Sequence, residues 1–143
     1  MAEPSIIGCP SCGTKSRVPA SAKGRPRCAK CHTDLPWLVD ADDGDYDEVV
    51  GQSPLPVLVD CWAEWCGPCR AVSPLVEQAA TTRAGTLKVA KVDVDANPGV
   101  SRRLGVQGIP ALFLVRDGQV VDQQVGALPG PALDAWLERA LAA

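Results

Sequence analysis

The chain has no stretch approaching the roughly 20 apolar residues that a membrane-spanning helix needs. Its opening residues also lack the positive start, apolar run and cleavage site of an export signal. A membrane protein is therefore not expected, and a soluble cytoplasmic protein is. Aromatic residues are scarce, at 4% of the chain, and none interleaves with the Lys and Arg residues of the first 36 positions. Without such stacking platforms nucleic acid is not an expected partner. No internal repeat is apparent, so a single non-repetitive fold is expected. At 143 residues the chain can bury one core of about 100 residues, with an appendage too small to stand alone.

The formal charge of −3 conceals an asymmetry. Residues 1–36 hold six Lys/Arg against two acids, while residues 37–143 hold eight against fifteen. Seven cysteines in a chain without an export signal point to metal binding or catalysis, because reducing compartments keep structural disulfides rare. Cys9 and Cys12 form one pair two residues apart, Cys28 and Cys31 a second, Cys66 and Cys69 a third, and Cys61 stands alone.

Residues 14–27 are rich in Lys, Arg, Ser, Pro and Gly and poor in large apolar side chains. Such a segment cannot offset its ordering entropy by burial, so something else must hold it. Residues 37–39 read as a short strand, and the six acids between Asp40 and Glu48 read as the solvated start of a short helix. Residues 56–62 form an apolar run with one charge, Asp60, as in a strand covered on both faces. A helix should follow, with Pro68 in its first turn, Ala71, Val72, Leu75, Val76 and Ala79 at helical spacing, and a kink at Pro74. Residues 87–93 read as a strand parallel to the previous one, and Asn97-Pro98 as the cap of a short helix ending near Gly105. Two strands, 111–115 and 120–125, flank the hairpin signal Asp117-Gly118. The last helix gathers Leu133, Trp136, Leu137, Ala140 and Leu141 on one face. The result is an α/β fold, a mixed sheet with helices on both faces.

A Cys-x-x-Cys at the junction of a buried strand and a helix has a clear chemical logic. The first cysteine meets the free N–H groups and positive end of the helix, which favour the thiolate that attacks disulfides. The second, one turn on, can attack the mixed disulfide formed by the first. Cys66 is thereby the nucleophile and Cys69 the resolving thiol. A Cys-x-x-Cys can also be half of a zinc site, but the other four paired cysteines already make a full set. Cys61, beside Asp60 on a strand, points to the opposite face. It reads as a small buried hydrophobe, with a third redox thiol as the sharper alternative.

The segment Val59-Asp60-Cys61-Trp62-Ala63-Glu64-Trp65-Cys66-Gly67-Pro68-Cys69-Arg70 closely resembles the active-site segment of thioredoxins. The resemblance continues through Val89-Ala90-Lys91-Val92-Asp93, Asn97-Pro98, Gly108-Ile109-Pro110, Asp117-Gly118 and Val125-Gly126-Ala127, and covers about residues 35–143. It implies the thioredoxin fold and protein-disulfide reductase activity, because Gly67-Pro68 is the dipeptide of the family's reducing members. It also implies that an NADPH-dependent thioredoxin reductase recharges the pair and that disulfide-containing proteins are the substrates. In the same terms Asp60 resembles the family's buried carboxylate, which exchanges a proton with Cys69, and Lys91 resembles its charge partner. Pro110 matches the family's cis-proline, with Ile109 offering backbone groups to an extended substrate. Trp65, Gly67, Pro68 and Gly126 would complete an apolar docking surface around Cys66. Cys61 departs from the family pattern, which favours an aromatic there.

Cys9, Cys12, Cys28 and Cys31, as two pairs separated by fifteen residues, match the spacing of a four-thiolate zinc site. One structural Zn2+ is expected, with metal binding as what folds the segment. Two disulfides are the alternative. His32, the sole histidine, reads as a solvated side chain beside that complete set. A zinc ribbon at 1–34 before a thioredoxin domain at 35–143 is the arrangement of a thioredoxin subgroup, which this chain resembles over its whole length. A monomer is expected. Two rivals remain: a redox-sensing, chaperone-like zinc module, and a reductant dedicated to one partner enzyme.

Overall fold

The structure is a computed structural model that describes residues 4–142. The five strands and three of the four helices expected from residue 37 onward are present, and the strands form one mixed sheet in the order 37–40, 88–93, 57–62, 111–116, 119–125. Its strands are β3 (Trp37–Asp40), β4 (Val57–Trp62), β5 (Lys88–Asp93), β6 (Ala111–Arg116) and β7 (Gln119–Val125). The apolar run with one charge is β4, the central strand, parallel to β5 and antiparallel to β6. Before the sheet, β1 (Ser5–Gly8) and β2 (Lys15–Val18) form an antiparallel hairpin.

The two faces of the sheet carry separate cores. On one, Leu58, Val89, Leu112 and Leu114 are buried together with Val72 and Val76 of α1 (Gly67–Thr82) and Leu133, Trp136 and Leu137 of α3 (Gly130–Ala142). On the other, Val57, Val59, Cys61, Ala90, Val92 and Phe113 are buried with Val100 of α2 (Pro98–Leu104) and with residues of the front segment. Alternation along β4 thus puts Asp60 and Cys61 on opposite faces, with Cys61 fully buried among apolar neighbours.

Two local expectations need correction. The acidic run does not start an ordinary helix. The Asp42 carboxylate accepts from the N–H groups of Gly44 and Asp45, both at 2.8 Å, and the Asp45 carboxylate accepts from Asp42 N–H at 2.7 Å. Such side-chain bonds offer the backbone an alternative to helix, and only one π-helical turn, Asp47–Gly51, follows. Nor is the run merely solvated, because Asp47 pairs with Arg103 and Glu48 accepts from Ser21. Asn97 does not cap α2 with its side chain. The Asp43 carboxylate does so instead, accepting from Gly99 N–H at 3.0 Å and Val100 N–H at 2.7 Å. A Cβ on Gly99 would lie 2.9 Å from that carboxylate, which is why the position suits glycine. Pro74 lies within α1, which continues to Thr82.

The front segment is held by more than its cysteines. Val18, Ala20 and Cys28 are buried in the same core as Trp37, Val49 and Val57. Trp37 Nε1 donates to the Pro19 carbonyl at 2.8 Å. Lys88, at the start of β5 and fully buried, donates from Nζ to the carbonyls of Ala20 (2.5 Å) and Val49 (2.6 Å) and lies 4.1 Å from the Trp37 ring. Burial pulls its ammonium down to about 8, with Asp45 and Glu48 opposing. The expectation that something other than burial must hold this segment is therefore corrected: it shares the main core, around a lysine that hydropathy patterning would place in solvent.

Candidate active site and metal centre

Cys66 follows the C-terminal end of β4 and is the N-cap of α1, with extended backbone dihedrals and Pro68 in the first turn. Its Sγ accepts from the Cys69 N–H at 3.2 Å, so one of the free donors of the helix end is satisfied by the first sulfur. The two cysteines are joined as a disulfide with their Cα atoms 5.3 Å apart. The structure is thus the oxidised state of a pair that can open and close within one helical turn. Both are buried in a small cluster with Ala63, against which Trp62, Val94 and Ile109 pack.

Around this pair the surface is apolar. Trp65 is 69% exposed, yet its Nε1 donates to Asp95 Oδ2 at 2.8 Å, which fixes the ring. Gly67 and Pro68 are exposed beside it. The Ile109–Pro110 peptide bond is cis, Pro110 is buried, and its carbonyl accepts from Gly126 N–H at 2.9 Å. Gly126 takes a positive φ of 97°, a conformation that favours glycine. Val125, 56% exposed next to it, extends the apolar surface.

Asp60 lies on β4, in register with Lys91 of β5, and is 1% exposed. Burial pushes its carboxyl up to about 6, against the pull of the Lys91 ammonium and with a smaller rise from Glu77. Its Oδ2 has no hydrogen-bond partner. Lys91 does not bond to it: Nζ is 2.5 Å from Ser73 Oγ and 3.5 Å from Glu77 Oε1, both on α1. A cavity of about 140 Å³ lined by Trp62, Ala63, Glu64, Cys69, Arg70, Ser73 and Lys91 connects Cys69 to that ammonium. Ser73 and Glu77 were missing from the sequence reading. Their i, i+4 spacing puts them on one helix face, but nothing local says which strand lysine that face meets.

The four front sulfurs all lie within 4.8 Å of one another, with Cys9 and Cys31 Sγ atoms 3.5 Å apart and Cys12 and Cys28 3.6 Å apart. A tetrahedron with Zn–S bonds of ~2.3 Å has edges of about 3.8 Å, so the donor set fits a four-thiolate metal ion. Each pair makes the same turn. Gly13 N–H donates to Cys9 O and Cys9 N–H to Thr14 O, while His32 N–H donates to Cys28 O and Cys28 N–H to Thr33 O. Gly13 and His32 both have positive φ. Thr14 and Thr33 hydroxyls lie 3.2 Å from Cys12 and Cys31 Sγ, and Thr33 holds the Cys31 thiol down at about 6, favouring the thiolate a metal requires. The sequence signal for this is a six-residue Cys-x-x-Cys-x-Thr unit that occurs twice, too short to register as a domain repeat. His32 is exposed and outside the cluster, as expected.

Comparison with known proteins agrees with this geometry. The thioredoxin family model matches residues 38–139. A thioredoxin from Haemophilus influenzae is 46% identical over 98 residues, covering 68% of this chain and 92% of its own length. Thioredoxin 1 from Nostoc sp. is 46% identical over 99 residues, 69% of this chain and 92% of its own. Thioredoxin C-3 from Corynebacterium nephridii is 38% identical over 139 residues, 95% of each chain, a match long enough to take in the four front cysteines. Among the described residues, no helix is long and apolar enough to cross a membrane.

Proposed function

The chain belongs to the thioredoxin family of thiol-disulfide oxidoreductases, and we propose that it works as a protein-disulfide reductase in which Cys66 attacks and Cys69 resolves. The observation that carries this reading is the position of Cys66 Sγ at the N-cap of α1, bonded to Cys69 N–H beneath an exposed apolar rim. In the reduced protein the Cys66 thiolate attacks one sulfur of a target disulfide. That bond breaks, a Cys66–target disulfide forms, and the released target thiolate takes a proton. Cys69 then loses its proton to Asp60 and attacks Cys66 Sγ. The Cys66–target bond breaks, the second target thiolate is protonated, and the two electrons have moved from the dithiol to the target. The buried, unpartnered Asp60 oxygen supports the proton transfer. Trp65, Gly67, Pro68, Ile109, Pro110 and Gly126 take the extended target segment, and an NADPH-dependent thioredoxin reductase returns the electrons.

The front module, residues 1–34, carries one structural Zn2+ on Cys9, Cys12, Cys28 and Cys31, ahead of a thioredoxin domain at 35–143. Bound there, the ion supplies crosslinking of the two turns and no chemistry to the dithiol. The working protein is a cytoplasmic monomer.

Mixed with NADPH and a thioredoxin reductase, the chain is expected to drive continuous reduction of insulin, read as NADPH consumption above that of the reductase alone. No consumption, with the dithiol shown to be reduced, would remove the reductase reading. Metal analysis with thiol titration tests the rest. About one zinc per chain is expected. In the native reduced protein Cys66 and Cys69 should react quickly, whereas Cys61, fully buried and pushed by burial up to about 12, should react only on unfolding. A metal-free protein with its front cysteines oxidised in pairs would overturn the zinc assignment.

A further inference from the structure

The Lys91 ammonium, which the sequence pairs with Asp60, is held elsewhere. From β5 it reaches across to α1, where Ser73 Oγ takes it at 2.5 Å and Glu77 Oε1 lies at 3.5 Å. Its strand position is nonetheless directly beside Asp60, in a parallel pair, and the Asp60 Oδ2 atom is buried with no donor. We infer that Ser73 is a positioning residue for the resolving step: its hydroxyl anchors Lys91 on the helix side and so leaves the Asp60 oxygen free to take the Cys69 proton. This rests on the proposed role of Asp60 and goes beyond it.

The physical argument is one of competition for a single cation. An ammonium of a buried or half-buried lysine must be hydrogen-bonded, because an unsatisfied charge away from water is costly. Lys91 is 17% exposed at its side chain, and Glu77, at 48%, is a solvent-screened partner too loose to hold it alone. The Trp62 ring, 5.7 Å from Nζ, walls the other side of the cation. With the Ser73 hydroxyl gone, only the solvent-screened Glu77 still holds the ammonium, and the Asp60 carboxylate, in register on the neighbouring strand, competes for it. An ion pair there would stabilise the charged form of Asp60 and make it a weaker base toward the Cys69 thiol. Ser73 is thus a switchyard between two acids. Its effect on the chemistry passes through Lys91, and it does not itself touch the reacting sulfurs.

The test is the pH profile of the resolving step, measured in single turnover as release of a chromophoric thiol from a Cys66 mixed disulfide, in the full-length protein. In the wild type the rate should rise with the ionisation of Asp60. Ser73→Ala is expected to move the midpoint of that rise about 1 unit to lower pH, as an added cation near a carboxylate does. It should also lower the plateau rate, because the ionised acid is then less basic. Ser73→Thr, which keeps the hydroxyl, is expected to restore the wild-type midpoint. Asp60→Asn serves as the reference and should remove the rise. A rise that persists in Asp60→Asn would overturn the role of Asp60 and this inference with it. A rise abolished in Asp60→Asn but with an unmoved midpoint in Ser73→Ala would overturn this inference alone. Thermal melting of each variant reports whether the fold is intact. Should Ser73→Ala fail to fold, Ser73→Gly, which also removes the hydroxyl and adds no competing thiol, is expected to shift the midpoint in the same direction, and an unmoved midpoint there counts equally against the proposal.

Discussion

Cys66→Ser is expected to bring insulin reduction down to the rate of NADPH and the reductase alone, whereas Cys69→Ser should complete the first attack and stop there. The two outcomes differ because the two sulfurs occupy different places on one helix. Cys66 Sγ sits at the N-cap and accepts the Cys69 N–H, so its negative charge meets the positive end of α1. A serine hydroxyl in the same place accepts that bond but does not ionise near neutral pH, and no nucleophile remains. The two cysteines are equally buried, so the asymmetry lies in the helix end: Cys66 caps it and accepts its N–H, whereas Cys69 lies within the first turn and gains no such charge stabilisation. Its serine variant should therefore accumulate a covalent target adduct, visible by mass spectrometry and released by added thiol. An adduct through Cys69 in the Cys66→Ser variant would reverse the assignment of attacking and resolving groups.

Asp60→Asn is the second substitution with a large expected effect, and here the effect falls on stability as well as turnover. Asp60 has an ordinary value of 3.8 that burial raises to about 6 in the folded protein. Between those two pH values the folded state holds a proton that the unfolded chain has lost. Stability therefore falls as pH rises from 3.8 to about 6, and above that range the fold carries a buried negative charge. The span corresponds to at most about 3 kcal/mol, since each pH unit is 1.36 kcal/mol. Asparagine has the same shape and no charge, so it should stabilise the oxidised protein at pH 8 by up to about 3 kcal/mol, less what its amide loses by burial. At pH 4 the advantage should nearly vanish. Urea unfolding of both proteins at the two pH values checks this, and an equal difference at both would show that the charge of Asp60 is not its source.

The parts of this molecule that could be read from the residues are those whose signals are short-range. A buried strand running into Cys66-Gly67-Pro68-Cys69, the Asp117-Gly118 hairpin and the four front cysteines each declare themselves within a few positions. In the structure they are β4 leading into α1, the turn between β6 and β7, and a metal-sized sulfur cluster. What escaped was settled by contacts between distant segments. Asp43 was counted as one of a run of acids, yet it caps a helix more than fifty positions away. Lys88 looked like an ordinary break in a strand's hydropathy, but two carbonyls and a tryptophan ring from elsewhere make its burial tolerable. Ser73 carried no signal in the sequence, because its significance depends on which side a strand lysine leans. Thr14 and Thr33 are a different case: their signal was local, and attention to cysteine spacing alone hid it.

The grip of Lys88 on Ala20 is at the beginning of β5, level with Val57, whereas Cys66 follows the other end of β4. Six residues of extended chain, about 20 Å, separate these levels. The protein accordingly has two poles, a thiol pole and an anchoring pole, on opposite ends of one sheet. A dye, a resin or a fused partner attached to the hairpin side would leave the thiol pole facing open solution, which makes that side the natural handle for immobilising the chain.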